Sequence, residues 1–130
     1  MDLILEQPGD YHFIRSVTEK GIQVGEDFFL EPFILNADQI IPDWPVTSIE
    51  RINEQDLETV LELQPEVVLI GTCARQRFRH PQQMMFFYSR NIGLEVMTTD
   101  AACRTFNVLV SEFRNVAAML IPVQSPNGNS

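Results

Sequence analysis

The sequence predicts an α/β domain, with a β-rich N-terminal half packed on a βαβαβ layer that contains a parallel sheet segment. Three observations carry that prediction. Glycine and proline cut the first half into short β-rich pieces. From Val67 onward, apolar runs of strand length alternate with segments of helix length. The chain has 130 residues, 45% of them apolar, which suffices for one buried core. A single domain is expected over 1–123, with 124–130 as a flexible tail lacking any apolar anchor.

The elements follow in order. His12–Val17 alternates as a strand, Lys20-Gly21 can turn, and Ile22–Val24 returns before Gly25-Glu26-Asp27. Phe28–Leu30 and Phe33–Leu35 are β-rich, and Pro32 forces a bulge or an edge between them. Ile40–Val46 carries Pro42 and Pro45 around Trp44 and reads as a loop packed by its own tryptophan. Thr47–Ile52 is a candidate short strand. Asn53 caps a helix over Glu54–Leu63, with acidic residues in its first turn and Pro65 as its stop.

In the second half, Val67–Ile70 is an uninterrupted apolar run, as in a strand covered on both faces. A helix starts at Pro81 and runs to about Arg90. Leu94–Met97 is a strand, and Asp100–Phe113 is a helix with Ala102, Phe106, Leu109, Val110 and Phe113 at core spacing. Val116–Ile121 is the last strand. Helical crossovers of this length imply parallel strands. Ligands in such domains bind at the carboxyl ends of the strands, here Gly71-Thr72-Cys73 and Thr98-Thr99-Asp100.

The net charge of −9 is unevenly spread: residues 1–66 hold 15 of the 18 acidic side chains, and all six basic residues beyond Val67 are Arg. Two readings stand side by side. The halves attract each other on folding and the acidic surface keeps the chain dispersed, or the arginines line a pocket for a carboxylate or phosphate. Arg75, Arg77 and Arg79 flank Phe78, yet the acidic remainder would repel a polyanion, so no nucleic-acid partner is expected. The longest apolar run, Val116–Val123, is too short for a bilayer and contains Pro122, so no membrane insertion is expected. The acidic start resembles neither a signal peptide nor a transit peptide, and two cysteines suit a reducing compartment.

Cys103 and Arg104 are expected in the first turn of a helix, where unpaired N–H groups and the dipole favour an anion or a thiolate. This suggests a ligand cleft formed by Thr72, Cys73, Arg77, Thr99, Asp100, Cys103, Arg104 and Asn107. Cys103 would supply a thiol, the amides of Asp100–Cys103 an anion hole, and Arg77 or Arg104 the counter-charge. Asn107, one turn on, would either support that thiol or satisfy a buried backbone group. Equally, Cys103 is a small packed side chain. Cys73, His80 and Cys103 match no zinc spacing, so no metal is expected. The chain lacks G-x-G-x-x-G, a Walker-type loop, G-x-S-x-G and C-x-x-C, so no cofactor is expected. Met84, Met85, Phe86, Phe87 and Tyr88 are apolar around most of a helix and suggest a partner surface.

The sequences Glu66-Val-Val-Leu-Ile-Gly-Thr72, Arg77-Phe-x-x-Pro81, Ile92-Gly-Leu-Glu-Val-Met97, Thr99-x-Ala-Ala-Cys-Arg-Thr-x-Asn107 and Val116-Ala-Ala-Met-Leu-Ile-Pro122 together resemble one small family. It comprises uncharacterised bacterial and archaeal proteins and the mitochondrial respiratory complex I assembly factor three. The resemblance implies a compact α/β fold and, by way of the mitochondrial relatives, an assembly or scaffolding role with a respiratory-complex subunit as partner. No established enzymatic activity accompanies the small prokaryotic members. The family usually continues Gly-Thr-Gly where this chain has Gly71-Thr72-Cys73. The expectation is therefore a non-catalytic binding or assembly module in a bacterial cytoplasm. The alternative is a binding protein or enzyme for a small anionic ligand in the Cys103–Arg104 cleft.

Overall fold

The computed structural model describes residues 11–42, 44, 53–72 and 81–123. Among the described residues, two sheets and three helices form three layers. The first sheet is an antiparallel meander of β1 (Ile14–Thr18), β2 (Gly21–Val24) and β3 (Asp27–Phe29). Gly21 has φ 123°, and a Cβ there would lie 2.7 Å from the Phe29 carbonyl oxygen, so this tight turn requires glycine. Pro32 separates β3 from β4 (Phe33–Leu35), and the two strands belong to different sheets, a larger break than a bulge. The expected loop at Ile40 begins instead as a two-residue strand, β5 (Ile40–Ile41), paired with β4. The candidate strand Thr47–Ile52 lies outside the described residues, as does the tail 124–130.

The second sheet has the order β5-β4-β8-β6-β7. It is built on β6 (Val67–Thr72), β7 (Gly93–Met97) and β8 (Val116–Ile121), all parallel, with β4 antiparallel to β8. Three helices connect this half: α1 (Glu54–Leu61), α2 (Pro81–Tyr88) and α3 (Thr99–Ser111). Asn53 caps α1 through a reciprocal box with Asp56, as its sequence predicts.

Strand β8 sits at the centre and all six of its residues are buried. Alternation sends Ala117, Met119 and Ile121 to one face, with Val68, Ile70, Leu94, Val96, Leu57, Val60, Phe86 and Phe87. Val116, Ala118 and Leu120 point to the other, with Leu69, Ile14, Ile22, Ala102, Cys103 and Phe106. Helices α1 and α2 therefore cover one face, while α3 and the meander cover the other. The chain moves from β6 out to β7, then back across β6 to β8, so two crossovers of the same hand place α2 and α3 on opposite faces. That reversal makes the carboxyl ends of β6 and β7, whose exits lead to helices on opposite faces, a topological switch point.

Candidate functional site

Strands β6, β7 and β8 end side by side, with Gly71 opposite Met97 and Thr72 opposite Ile121. The strand ends and the start of α3 thus meet as the sequence suggests. The first turn of α3 packs directly against the end of β6. Without a Cβ, Gly71 admits the first turn of the helix; an added Cβ would stand 3.0 Å from Thr99 Cα and 3.2 Å from Ala102 Cβ. Thr98 caps the helix, its side chain accepting from the Ala101 amide.

The polar candidates at this junction are engaged within the fold. Thr99 is fully buried and its hydroxyl donates to the Ile121 carbonyl at 2.7 Å, fastening α3 to the end of β8. Thr72 is buried and donates to the Met97 carbonyl at 3.2 Å, joining β6 to β7. Asn107 reaches the meander: its Oδ1 accepts from the Ile14 amide and its Nδ2 donates to the Ile14 carbonyl, both at 2.8 Å. Of the two roles open to Asn107, the structure shows the backbone one. Asp100 is half-buried in the first turn of α3, and Arg104 is exposed one turn further on. Cys73 and Arg77 lie outside the described residues.

Cys103 does not sit in the first turn. The helix begins at Thr99, which places the thiol in the second turn, facing the core with no exposed surface. Burial pushes its pKa up, Asp100 adds to that, and Arg104 opposes only in part. The helix-start thiolate is thus corrected to a protonated packing group. In a Cys73→Ser background, iodoacetamide at pH 7 is expected to label Cys103 only after denaturation. Labelling of the folded protein at the rate of a free thiol would contradict this. Among the described residues, no three His, Cys, Asp or Glu side chains gather as a metal site.

The stretch 84–88 also divides. Phe86 and Phe87 are buried core residues packed edge to face, because α2 lies against both β7 and α1 and so buries two adjacent sides. Met84 is partly buried against the same cluster. Met85 and Tyr88 remain exposed, one turn apart on the outer face. The expected five-residue partner surface therefore reduces to two side chains. Arg90 closes the end of α2, donating to the Phe86 carbonyl at 2.7 Å with its guanidinium 4.0 Å from the ring centroid.

The opposite edge of the sheet, where the helices end, shows what the pattern did not. The spacing assigns Phe113 to the core, but α3 stops at Ser111 and Phe113 is 89% exposed. Its amide donates to the Val110 carbonyl and that of Arg114 to Leu109, closing a Schellman turn. Phe113 holds the left-handed position of that turn, φ 62°, where glycine is usual and a bulky side chain costs about 1 kcal/mol. Asn91 and Gln64 occupy similar left-handed positions after α2 and α1. The loops are tied together through Glu66. Arg114 Nε donates to its carboxylate at 2.6 Å and the Asn115 amide at 3.2 Å, while the Gly93 amide donates to its backbone carbonyl at 3.0 Å. The Arg114 and Asn115 hydrogen bonds hold the Glu66 carboxyl below its ordinary pKa. Asn115 Nδ2 also donates to the Gln64 carbonyl.

Comparison with known proteins follows the fold closely. The model of a family described as a protein of unknown function (DUF498/DUF598) matches residues 14–121. An NADH dehydrogenase [ubiquinone] 1 alpha subcomplex assembly factor 3 from Xenopus tropicalis is 33% identical over 88% of this chain and 63% of its own length. The chain thus spans less than two-thirds of that relative. A "13 kDa major membrane protein" of Francisella tularensis is 31% identical, covering 77% of this chain and 80% of its own. A solution structure of a Xanthomonas campestris protein superposes with a TM-score of 0.80 at 37% identity, over 95% of this chain and 94% of that one. Among the described residues, no helix is long and apolar enough to cross a membrane.

Proposed function

The chain belongs to the DUF498/DUF598 family of proteins of unknown function, and we propose that it is an assembly-type module that holds a protein subunit. The observation that carries this reading is the 33% identity, across most of the chain, to a factor named for assembly of an NADH dehydrogenase. The finer proposal is that the partner is a subunit of a respiratory NADH dehydrogenase, met on the cytoplasmic side of a bacterial membrane. A relative named as a membrane protein fits a domain that works against membrane-bound complexes. The chemistry of the strand-end junction supports a non-catalytic role, since Thr72, Thr99 and Asn107 hydrogen-bond to main-chain groups and Cys103 is buried.

The test is deletion of the gene together with affinity purification of a tagged chain from the same organism. The expected result is loss of membrane NADH oxidation in the deletion strain and co-purification of NADH dehydrogenase subunits. Unchanged NADH oxidation with no such subunit recovered would overturn the proposal.

A further inference from the structure

The meander ends on an open edge. Strand β3 pairs with β2 alone among the described residues, so its other side offers main-chain groups to a further strand. Which groups these are follows from the hairpin. The turn between β2 and β3 has two residues, Gly25 and Glu26, with Gly25 at φ 61°. Val24 and Asp27 close that turn, and the alternation of an antiparallel ladder then directs the amide and carbonyl of Phe28 away from β2. Phe28 is 53% exposed, and Leu30, two residues further along the same face, is 56% exposed. We propose that this edge takes up an extended segment of a partner protein as a fourth strand, apolar in the middle and basic at both ends. The inference rests on the protein-binding reading above and adds the surface, the mode of pairing and the chemistry of the segment.

Charge selects the ends of that segment. Glu26 and Asp27 precede Phe28, Glu31 follows Leu30, and all three are exposed. Among the described residues, none of the three is held in an ion pair. The cations of the meander do not offset them: Lys20 shares the β1–β2 turn with Glu19, and Arg15 lies on β1, the far strand of the sheet. The edge is therefore negative at both ends of an apolar pair, complementary to lysine or arginine. The same charges disfavour a second copy of this chain, because edge-to-edge pairing would set the carboxylates of two β3 strands together. Short and acidic, the strand is guarded against its own kind and open to a segment of opposite charge.

The edge is also held in place. Phe29 points to the other face of β3 and stacks on Phe33, with 4.5 Å between ring centroids, against the cluster of Ile14, Ile22 and Leu35. Gly21 brings β2 so close that a Cβ there would meet the Phe29 carbonyl. Phe28 and Leu30 thus flank a residue fixed on the inner side, so that little ordering of this chain opposes binding.

The experiment uses the isotopically labelled full chain, titrated with a short peptide of alternating valine and threonine that carries lysine at both ends. A glutamate-ended counterpart and an N-methylated copy, which cannot complete a ladder, serve as comparisons. The expected result is amide shifts confined to the meander, slowed exchange of the Phe28 amide, and affinity about ten-fold tighter for the lysine-ended peptide, weakening with salt. Phe28→Thr, which keeps a strand-forming residue, should bind about five-fold more weakly while the chain stays folded. Glu26→Lys combined with Glu31→Lys should reverse the preference in favour of the glutamate-ended peptide. Shifts outside the meander, equal affinity for the two charged peptides, undiminished binding of the N-methylated one, or no binding at all would overturn the proposal. Dimerisation of the parent that is lost in Phe28→Thr would assign the edge to a second copy and likewise overturn it. These readouts involve no respiratory enzyme. A chain that binds the lysine-ended peptide while its deletion strain keeps full NADH oxidation would spare the surface and sink the proposed function. A deletion strain that loses NADH oxidation and is rescued by Phe28→Thr would condemn the surface alone.

Discussion

Replacing Asn107 with leucine is expected to destabilise the domain by about 2–5 kcal/mol, lowering the melting temperature on the order of 10 °C. Ile14 is fully buried at the outer edge of the meander, and the Asn107 amide serves both its backbone groups. The side chain acts as a substitute neighbouring strand for β1. Leucine matches its size but leaves a buried donor and a buried acceptor without partners, each costing about 1–3 kcal/mol. Because the bond spans 93 positions of sequence, its loss should loosen the meander from α3 before the parallel sheet opens. Amide exchange would show this as lost protection in β1 and β2 with β6 and β8 retained. Asn107→Asp should fare no better, since a carboxylate would face the Ile14 carbonyl. A leucine variant within 2 °C of the parent would contradict the assignment.

Gly71→Val is expected to be at least as damaging, at about 3 kcal/mol or more, through overpacking. An added Cβ meets Thr99 Cα and a Leu120 methyl, each at 3.0 Å. The leucine end can swing away, but Thr99 Cα is backbone and moves only with the helix. Shifting it also lengthens the Thr99 hydroxyl contact to Ile121, now 2.7 Å. Gly71→Ala should show the same effect in smaller measure, a loss of about 1–3 kcal/mol. Thermal melts of both variants check this, and an alanine variant as stable as the parent would show that α3 is not seated so closely.

These two residues show where the sequence was readable. Gly71 ends an apolar run and so marks a strand end, but nothing local says that a helix 28 positions later rests on it. The parallel strands and their connecting helices were legible because each carries its own period, and the strand Val116–Ile121 is found at the predicted bounds. Helix ends were less so. Phe113 continues the core spacing of α3 only if the helix continues. The helix stops two residues earlier and the chain turns left-handed, so the side chain swings outward. The aromatics of α2 misled for the opposite reason. A helix wedged between a sheet and another helix buries two sides, which a single-face pattern does not anticipate. At the strand ends, the predicted meeting of β6, β7 and α3 is present, but residue type alone could not tell a ligand-binding threonine from one bonded to the main chain.

The account assigns structural duty, not chemistry, to the strand-end junction. Complementation of a deletion strain tests this most directly, with NADH oxidation by isolated membranes as the readout and melting curves confirming that each variant is folded. Cys103→Ala and Asp100→Asn are predicted to restore the enzyme to parental levels. Failure of a folded Cys103→Ala or Asp100→Asn chain would contradict the account and return function to the junction.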